Sequence, residues 1–286
     1  MKPEMVILCG LPGSGKSTIA KSEYADHFRI NYDELRWDTD KPFSHEREKQ
    51  MKKQAFYLCR DALNHGQSVV IDNTNLTEGA RAPWFLIAKD YGIVPIIQEV
   101  NTPIAECVER DSHREGIARV GRAVIERMAL FTGWIDWNDK QTYQRDFVIC
   151  DVDGTLADLT HRKHFLEKPK NWLAFFNGVE FDKPIQPIVK LVDKLSYEFY
   201  ILIVSGRAMD RAGLATEKWL NDQDIVYKHL FMRAGNDFRA DDIVKKEILD
   251  LLPKDRIKYV LDDRDRVVKM WRDNGLTCLQ VAPGNF

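Results

Sequence analysis

Short apolar runs rich in valine, isoleucine and leucine recur along the chain, each followed by a polar turn and a stretch of helical periodicity. They fall at residues 5–10, 68–72 and 93–100 in the first half, and at 147–150, 199–204, 230–232 and 258–261 in the second. Runs of this length, alternating with helices, predict buried strands joined by crossover connections, hence parallel sheets of the α/β class. Ligands of such sheets sit at the carboxyl ends of the strands, so the residues just past each run are the first candidates for chemistry. Residues 128–146, with Trp134, Trp137 and Tyr143 among charges, read as a closing helix and a linker. The pattern predicts two α/β domains, 1–145 and 146–286, each a mainly parallel sheet flanked by helices.

Composition narrows the class. At 286 residues, each half is long enough to bury a core of its own. Fractions of 44% hydrophobic and 30% charged residues suit a soluble globular chain, and no apolar run reaches the length of a membrane span. Residues 1–4 pass directly into the first strand and do not read as a signal peptide. The five cysteines never show C-x-x-C spacing, which argues for reduced thiols in a cytoplasmic protein and against structural zinc. Residues 1–145 hold 20 basic and 21 acidic side chains, and residues 146–286 hold 22 and 23. Neither half has the positive field of a protein that coats nucleic acid, so any such contact must be local, at a cleft or an end.

Gly10-Leu11-Pro12-Gly13-Ser14-Gly15-Lys16-Ser17 matches G-x-x-x-x-G-K-[ST] between a strand and a helical stretch that opens with Thr18. The glycines let backbone N–H groups curl around phosphate oxygens. Lys16 would reach the β and γ phosphates and Ser17 would hold Mg²⁺. Asp33 and Arg36 lie three apart on one face of a helix start. They suit a base for an attacking hydroxyl and a cation for a phosphate; an ordinary acidic helix start with a surface arginine would look the same. Asp72-Asn73-Thr74-Asn75 closes the second run, as a functional loop or as a plain Asx turn. Arg110, Arg114, Arg119, Arg122 and Arg127 crowd into 18 residues with three acids among them, which suits a lid over phosphates or a solvated helix face.

In the second half, the run 147–150 leads into Asp151-Val152-Asp153-Gly154-Thr155-Leu156. Two carboxylates two residues apart at a strand end suit a division of labour, with Asp151 as nucleophile beside a metal and Asp153 protonating the leaving oxygen. Ser205-Gly206-Arg207 caps the run 199–204, Lys245 sits in a helical stretch over 241–252, and Asp262-Asp263 ends the run 258–261. Hard carboxylates of this kind suit Mg²⁺, with Asp151, Asp153, Asp262 and Asp263 as the candidate ligands.

These residues resemble the haloacid-dehalogenase phosphatase superfamily. With the preceding kinase pattern, the chain resembles the bacteriophage-type polynucleotide 5′-kinase/3′-phosphatases from Gly10 to the final Val281-Ala282-Pro283-Gly284-Asn285-Phe286. The resemblance implies that Gly10, Pro12, Gly13, Ser14, Gly15, Lys16, Ser17 and Thr18 bind ATP with Mg²⁺. It implies Asp33 as general base toward a 5′-hydroxyl, Arg36 on the acceptor phosphate and Arg127 as the lid arginine. Asn73 stands where the phage pattern has aspartate, with Asp72 beside it, which leaves open which of the two serves. In the phosphatase half, Asp151, Asp153, Arg162, Arg207, Asp241, Lys245 and Asp263 fall on matching positions. The implied partners are DNA or RNA ends, with a ligase acting downstream and a homo-oligomer left open.

A small-metabolite kinase fused to a small-molecule phosphatase is the rival reading, and a nucleotide-sensing module with a dead centre a second. The gaps 156–184 and 207–241 are too short for a full cap domain, which leaves the aspartates open to macromolecular ends. The presence of Lys16, Asp33, Asp151 and Asp153 argues against a dead centre.

Overall fold

The computed structural model describes residues 2–37, 45–167 and 169–284, so Asn285 and Phe286 lie outside the described residues. Packing divides the chain into Met1–Arg119 and Val120–Phe286. The first unit runs β1 (Met5–Cys9), α1 (Lys16–Ser22), β2 (Phe28–Ile30), α2 (Tyr32–Trp37), α3 (His45–Asn64), β3 (Val69–Asp72), α4 (Glu78–Asp90), β4 (Ile96–Glu99) and α5 (Ile104–Ser112). Its sheet has the order β2-β3-β1-β4, and every pairing is parallel.

Both faces of this sheet are covered, which is why its central strands read as unbroken apolar runs. Met5, Ile7, Val69 and Ile71 face Trp84 and Cys59, while Val6, Leu8 and Val70 face Ala20. At the edge, β4 is shorter than the run 93–100, and Ile96 and Ile97 point outward where no further strand covers them.

The second unit runs α6 (Arg122–Phe131), β5 (Phe147–Cys150), β6 (Ala157–Asp158), α7 (Thr160–Lys163), α8 (Trp172–Asn177), β7 (Lys183–Pro184) and α9 (Gln186–Ser196). It continues with β8 (Tyr200–Ala208), α10 (Met209–Asp222), β9 (His229–Arg233), α11 (Asp241–Leu249), β10 (Ile257–Asp262), α12 (Asp265–Asp273) and β11 (Cys278–Gln280). The order β11-β10-β5-β8-β9 is parallel throughout and puts β5 at the centre. No full cap domain interrupts it. Residues 157–184 form a two-stranded antiparallel ribbon, β6 with β7, and short helices. Among the described residues, no helix is long and apolar enough to cross a membrane.

The packing boundary differs from residue 145 because α6 sits on β9 and α10, not on the first sheet. The aromatic stretch after α6 behaves likewise: Trp137 and Tyr143 pack with Phe147, His229 and Phe231 inside the second unit. Polar pairing locks the helix down. Buried Glu126 accepts from the Leu230 N–H at 2.5 Å and from Arg122 Nε at 2.9 Å, and lies 3.1 Å from His229 Nδ1. The sequence pattern shows a charged residue on a helix and nothing of these partners.

Burial opposes ionisation of Glu126, but His229 and Arg122 outweigh it and hold the carboxyl below its ordinary value. A depressed carboxyl stabilises the fold above its unfolded pKa, and that contribution is lost as pH falls through the folded value. Glu126→Gln is expected to lower the unfolding free energy by about 3 kcal/mol at pH 7, since it breaks a buried pair. Denaturant titrations at pH 7 and pH 4 check this: the gap between wild type and variant narrows at the lower pH.

Candidate active sites

The loop between β1 and α1 needs glycine for two reasons. Gly13 and Gly15 have φ of 82° and 98°, the left-handed region that side chains avoid, and a Cβ on Gly13 would collide with the Cys107 carbonyl. Lys16 Nζ folds back onto this loop, donating to the Leu11 carbonyl at 2.7 Å and Ser14 Oγ at 3.3 Å. Burial pushes its ammonium down to about 8, against the pull of nearby Asp72. Ser17 and Thr18 are exposed at the start of α1, and Gly10 and Pro12 frame the loop's entry.

Asp72 and Asn73 divide their work. Asn73 Oδ1 accepts from the Tyr32 N–H at 2.9 Å, which anchors the start of α2. Asp72 is buried, with Oδ2 held by Arg29 at 2.6 Å and by Asn31 at 3.1 Å, while Oδ1 has no partner. Asn31 in turn caps α2 by accepting from the Asp33 and Glu34 N–H groups at 2.9 and 3.0 Å. A rigid hydrogen-bonded path therefore links the buried carboxylate to the exposed Asp33. Sequence reasoning passed over Arg29 and Asn31, which carry no motif.

Asp33 and Arg36 do meet, at 2.5 Å, but Glu48 of α3 also grips Arg36 through two bonds of 2.6 and 2.8 Å. Arg36 is thus paired with two carboxylates. The arginine run splits. Arg110 reaches the Gly13 and Ser14 carbonyls at 3.4 Å and pairs with Glu106. Arg127, the expected lid residue, is on α6 of the second unit, donating to the Met232 carbonyl at 3.1 Å and lying over the Phe131 ring.

In the second unit, the tight turn after β5 closes through Gly154 at φ 81°, whose missing Cβ leaves room for the Asp263 carboxylate. Asp151, Asp262 and Asp263 offer oxygens within 4.8 Å of one another. Lys245 Nζ is buried among them, 2.8 Å from both Asp151 and Asp262 and 3.9 Å from Asp241. Burial and the like charges of Asp262, Asp241 and Asp263 push Asp151 up against the pull of Lys245, and burial with Asp262 pushes Asp263 up to about 6. Arg233 and Arg264 pair with Asp241, which leaves Lys245 as the one ammonium against Asp151, Asp262 and Asp263. A hard divalent cation with oxygen ligands fits this donor set, with Mg²⁺ the natural candidate.

Asp153 does not join that set. Its Oδ1 is held by Arg162 at 2.7 Å and Arg207 at 2.6 Å. Burial opposes its ionisation, but Arg207 and Arg162 outweigh burial and hold it down to about 2. Asp182, which no motif signals, completes a neutral quartet by accepting from Arg162 at 2.6 Å and Arg207 at 2.5 Å. Its own backbone carbonyl accepts from Trp219 Nε1 at 2.7 Å. Ser205 is fully buried, and its Oγ accepts from the Arg207 N–H at 3.3 Å. The strand does not stop at Val204: it runs through a bulge to Ala208 because Gly206 lets Asp241 approach its backbone.

These groups open onto a cleft of about 450 Å³. Asp151, Asp153 and Arg207 form part of its lining, with Arg233 and Arg264 also on its wall, both bonded to Asp241. Asp182→Asn is expected to cost about 3 kcal/mol of stability, because two buried guanidiniums lose a shared partner. The loss should be the same with and without Mg²⁺, since Asp182 lies in the arginine quartet and not in the carboxylate cluster; unfolding titrations in both conditions check it. The clamp on Asp153 stabilises above pH about 4 and fades as pH falls toward 2.

Comparison with known proteins also divides the chain in two, but α6 falls in the first match and not in the second. Residues 145–286 match the family of the polynucleotide kinase PNKP phosphatase domain, and residues 5–131 match the AAA domain family. A protein of Autographa californica nuclear polyhedrosis virus, described as a bifunctional polynucleotide kinase/RNA ligase, is 25% identical over 94% of this chain and 41% of its own length. A bifunctional polynucleotide phosphatase/kinase of Schizosaccharomyces pombe is 36% identical over 32% of this chain and 19% of its own. The chain thus spans less than half the length of these curated relatives. A chain of the Pnkp1/Rnl/Hen1 RNA repair complex is 26% identical, covers 100% of this chain and 97% of itself, and superposes with a TM-score of 0.43. By family, this chain joins an AAA-type P-loop domain to a phosphatase domain of the polynucleotide kinase PNKP family.

Proposed function

We propose that the chain is a bifunctional nucleic-acid end-processing enzyme. Its first unit transfers the γ-phosphate of ATP to 5′-hydroxyl ends of DNA or RNA, and its second removes 3′-phosphates. The observation that carries this reading is the pairing of Asp151 with Lys245 in an open cleft, inside a domain of the polynucleotide kinase phosphatase family. The small-metabolite reading has no comparable support. Residues 1–145 and 146–286 are proposed as the two functional halves, which agrees with the spans of the family matches. A relative named for both a kinase and an RNA ligase favours a place upstream of ligation.

In the kinase half, the loop from Gly10 to Thr18 cradles the triphosphate, and Lys16 swings from the Leu11 carbonyl to the phosphates. Asp33 accepts the proton of the 5′-hydroxyl and Arg36 steadies the acceptor phosphate after leaving Glu48 or Asp33. Mg²⁺ would supply charge neutralisation between Ser17 and the unpartnered Oδ1 of Asp72. Arg110, already on the loop, takes the charge-stabilising place more readily than Arg127.

In the phosphatase half, Asp151 attacks phosphorus, the bond to the 3′-oxygen breaks, and an aspartyl-phosphate forms. Mg²⁺ at Asp151, Asp262 and Asp263 would screen the nucleophile from its anionic substrate. Asp153 is ionised in the resting site, which suits it to take a proton from the water that opens the aspartyl-phosphate. To act first as an acid it must be loaded with a proton, and an anionic phosphoryl group that draws off Arg207 and Arg162 makes that easier. Arg162, Arg207 and Ser205 hold this geometry.

The two activities are expected to separate by mutation. Lys16→Ala or Asp33→Asn should abolish labelled-phosphate transfer to a 5′-hydroxyl oligonucleotide while 3′-phosphate release persists, and Asp151→Asn should do the reverse. A folded Asp151→Asn protein that lost both would sink the two-site reading. Asp153→Asn should slow release from a sugar 3′-oxygen by about 100-fold, the usual scale of proton transfer, and slow an activated aryl phosphate far less. Burst-phase release of the leaving group, which precedes hydrolysis of the shared aspartyl-phosphate, checks it on the two substrates; equal losses in that first step would withdraw the acid role of Asp153.

A further inference from the structure

The cleft at Asp151 and Asp153 is lined by aromatic rings that the chemistry leaves unused. Trp172 of α8 stacks on Phe176 with centroids 6.0 Å apart and planes 24° from parallel. Lys170 Nζ lies 5.5 Å from the Trp172 ring, and Trp172 remains 45% exposed. Phe238, also on the lining, is 83% exposed in the loop between β9 and α11. That loop is braced: Arg233 Nη1 donates to the Asp237 carbonyl at 3.2 Å and the Arg239 carbonyl at 2.6 Å, and Arg239 pairs with Asp237 and Glu247.

Large aromatic faces left in water cost free energy, and a rigid loop that presents one asks for a flat partner. Cations surround these rings. Arg211 is on the same wall and makes no ion pair among the described residues, with Arg266 nearby. Stacking rings and guanidiniums above a phosphate-cleaving carboxylate together match a strand end, whose bases have π faces and whose backbone is anionic.

We propose that Trp172, backed by Phe176, and Phe238 are the platforms on which the last nucleobases of a 3′-phosphorylated strand stack, while Arg211 and Arg266 follow its backbone. The proposal rests on the 3′-phosphatase reading and specifies its substrate: an oligonucleotide end held by its bases without sequence readout, not a bare phosphomonoester. Stacking needs only a π face, so all four bases are accepted alike. Phe175 is not a platform, because it is buried under the Arg162 guanidinium at 4.2 Å and serves the quartet.

The test is a cycle of enzyme and substrate changes on the full chain. Wild type, Trp172→Ala and Phe238→Ala are each assayed for phosphate release from a single-stranded 3′-phosphate oligonucleotide and from the same strand with its last two bases removed to abasic sites. On the intact strand, each variant is expected to lose kcat/KM by about 5- to 150-fold, the range that base–aromatic stacking supports. Base removal and ring removal delete the same interaction, so their losses should not add. Trp172→Phe should recover most of the loss, which separates a stacking face from a folding defect. Equal turnover of intact and abasic strands by wild type overturns the proposal, as do losses that multiply. Absence of phosphate release from every 3′-phosphate strand by wild type would instead remove the phosphatase reading beneath it.

Discussion

The second unit is organised around a charge imbalance at the carboxyl end of its central strand. Asp151, Asp241, Asp262 and Asp263 converge there, and buried Lys245 is the ammonium placed among them. Burying carboxylates without partners costs far more than a domain's net stability, so the arrangement holds only because partners are supplied. Lys245 hydrogen-bonds two of them, Arg233 and Arg264 take Asp241, and the remaining excess is what makes a cation fit. Fold and chemistry therefore share one requirement.

Beside it lies the opposite solution. Asp153, Asp182, Arg162 and Arg207 balance to zero, and the quartet is almost sealed from water. Two carboxylates only two residues apart in sequence thus live in different electrostatic environments. Asp151 is pushed up by burial and like charges, while Asp153 is held down to about 2 by two guanidiniums that outweigh burial. Separation of this kind is how one turn can supply a nucleophile and a proton carrier. In the P-loop unit, Lys16 folds back onto a carbonyl and one oxygen of buried Asp72 is left without a hydrogen-bond partner.

Much of this was legible in the sequence because it is local. The runs 5–10, 68–72 and 147–150 predict buried strands, and the glycines of the P-loop and of Asp151–Leu156 mark turns that only glycine makes easily. Asp262 and Asp263 could be placed because they close a recognisable strand, and Lys245 because it falls in a helical stretch over 241–252. For residues 128–146, periodicity shows that a helix has an apolar face but not which core that face meets. α6 met β9 through Glu126 and His229, partners 103 residues apart.

Sequence by itself determined the α/β class, the glycine-rich loop before Lys16 and the carboxylate-bearing turn from Asp151 to Leu156, all of which rest on contacts within a few residues. Tertiary structure alone decided that Asp153 faces two arginines, that Asp182 pairs with both of them, and that Arg36 is gripped by Glu48. It also decided that Asp72 keeps a free oxygen while Asn73 caps a helix, and that Trp172 and Phe238 share a cleft. The reason is physical. An ionised side chain takes its character from whichever charges folding brings within a few ångströms, and that company is chosen by long-range packing that no local pattern encodes.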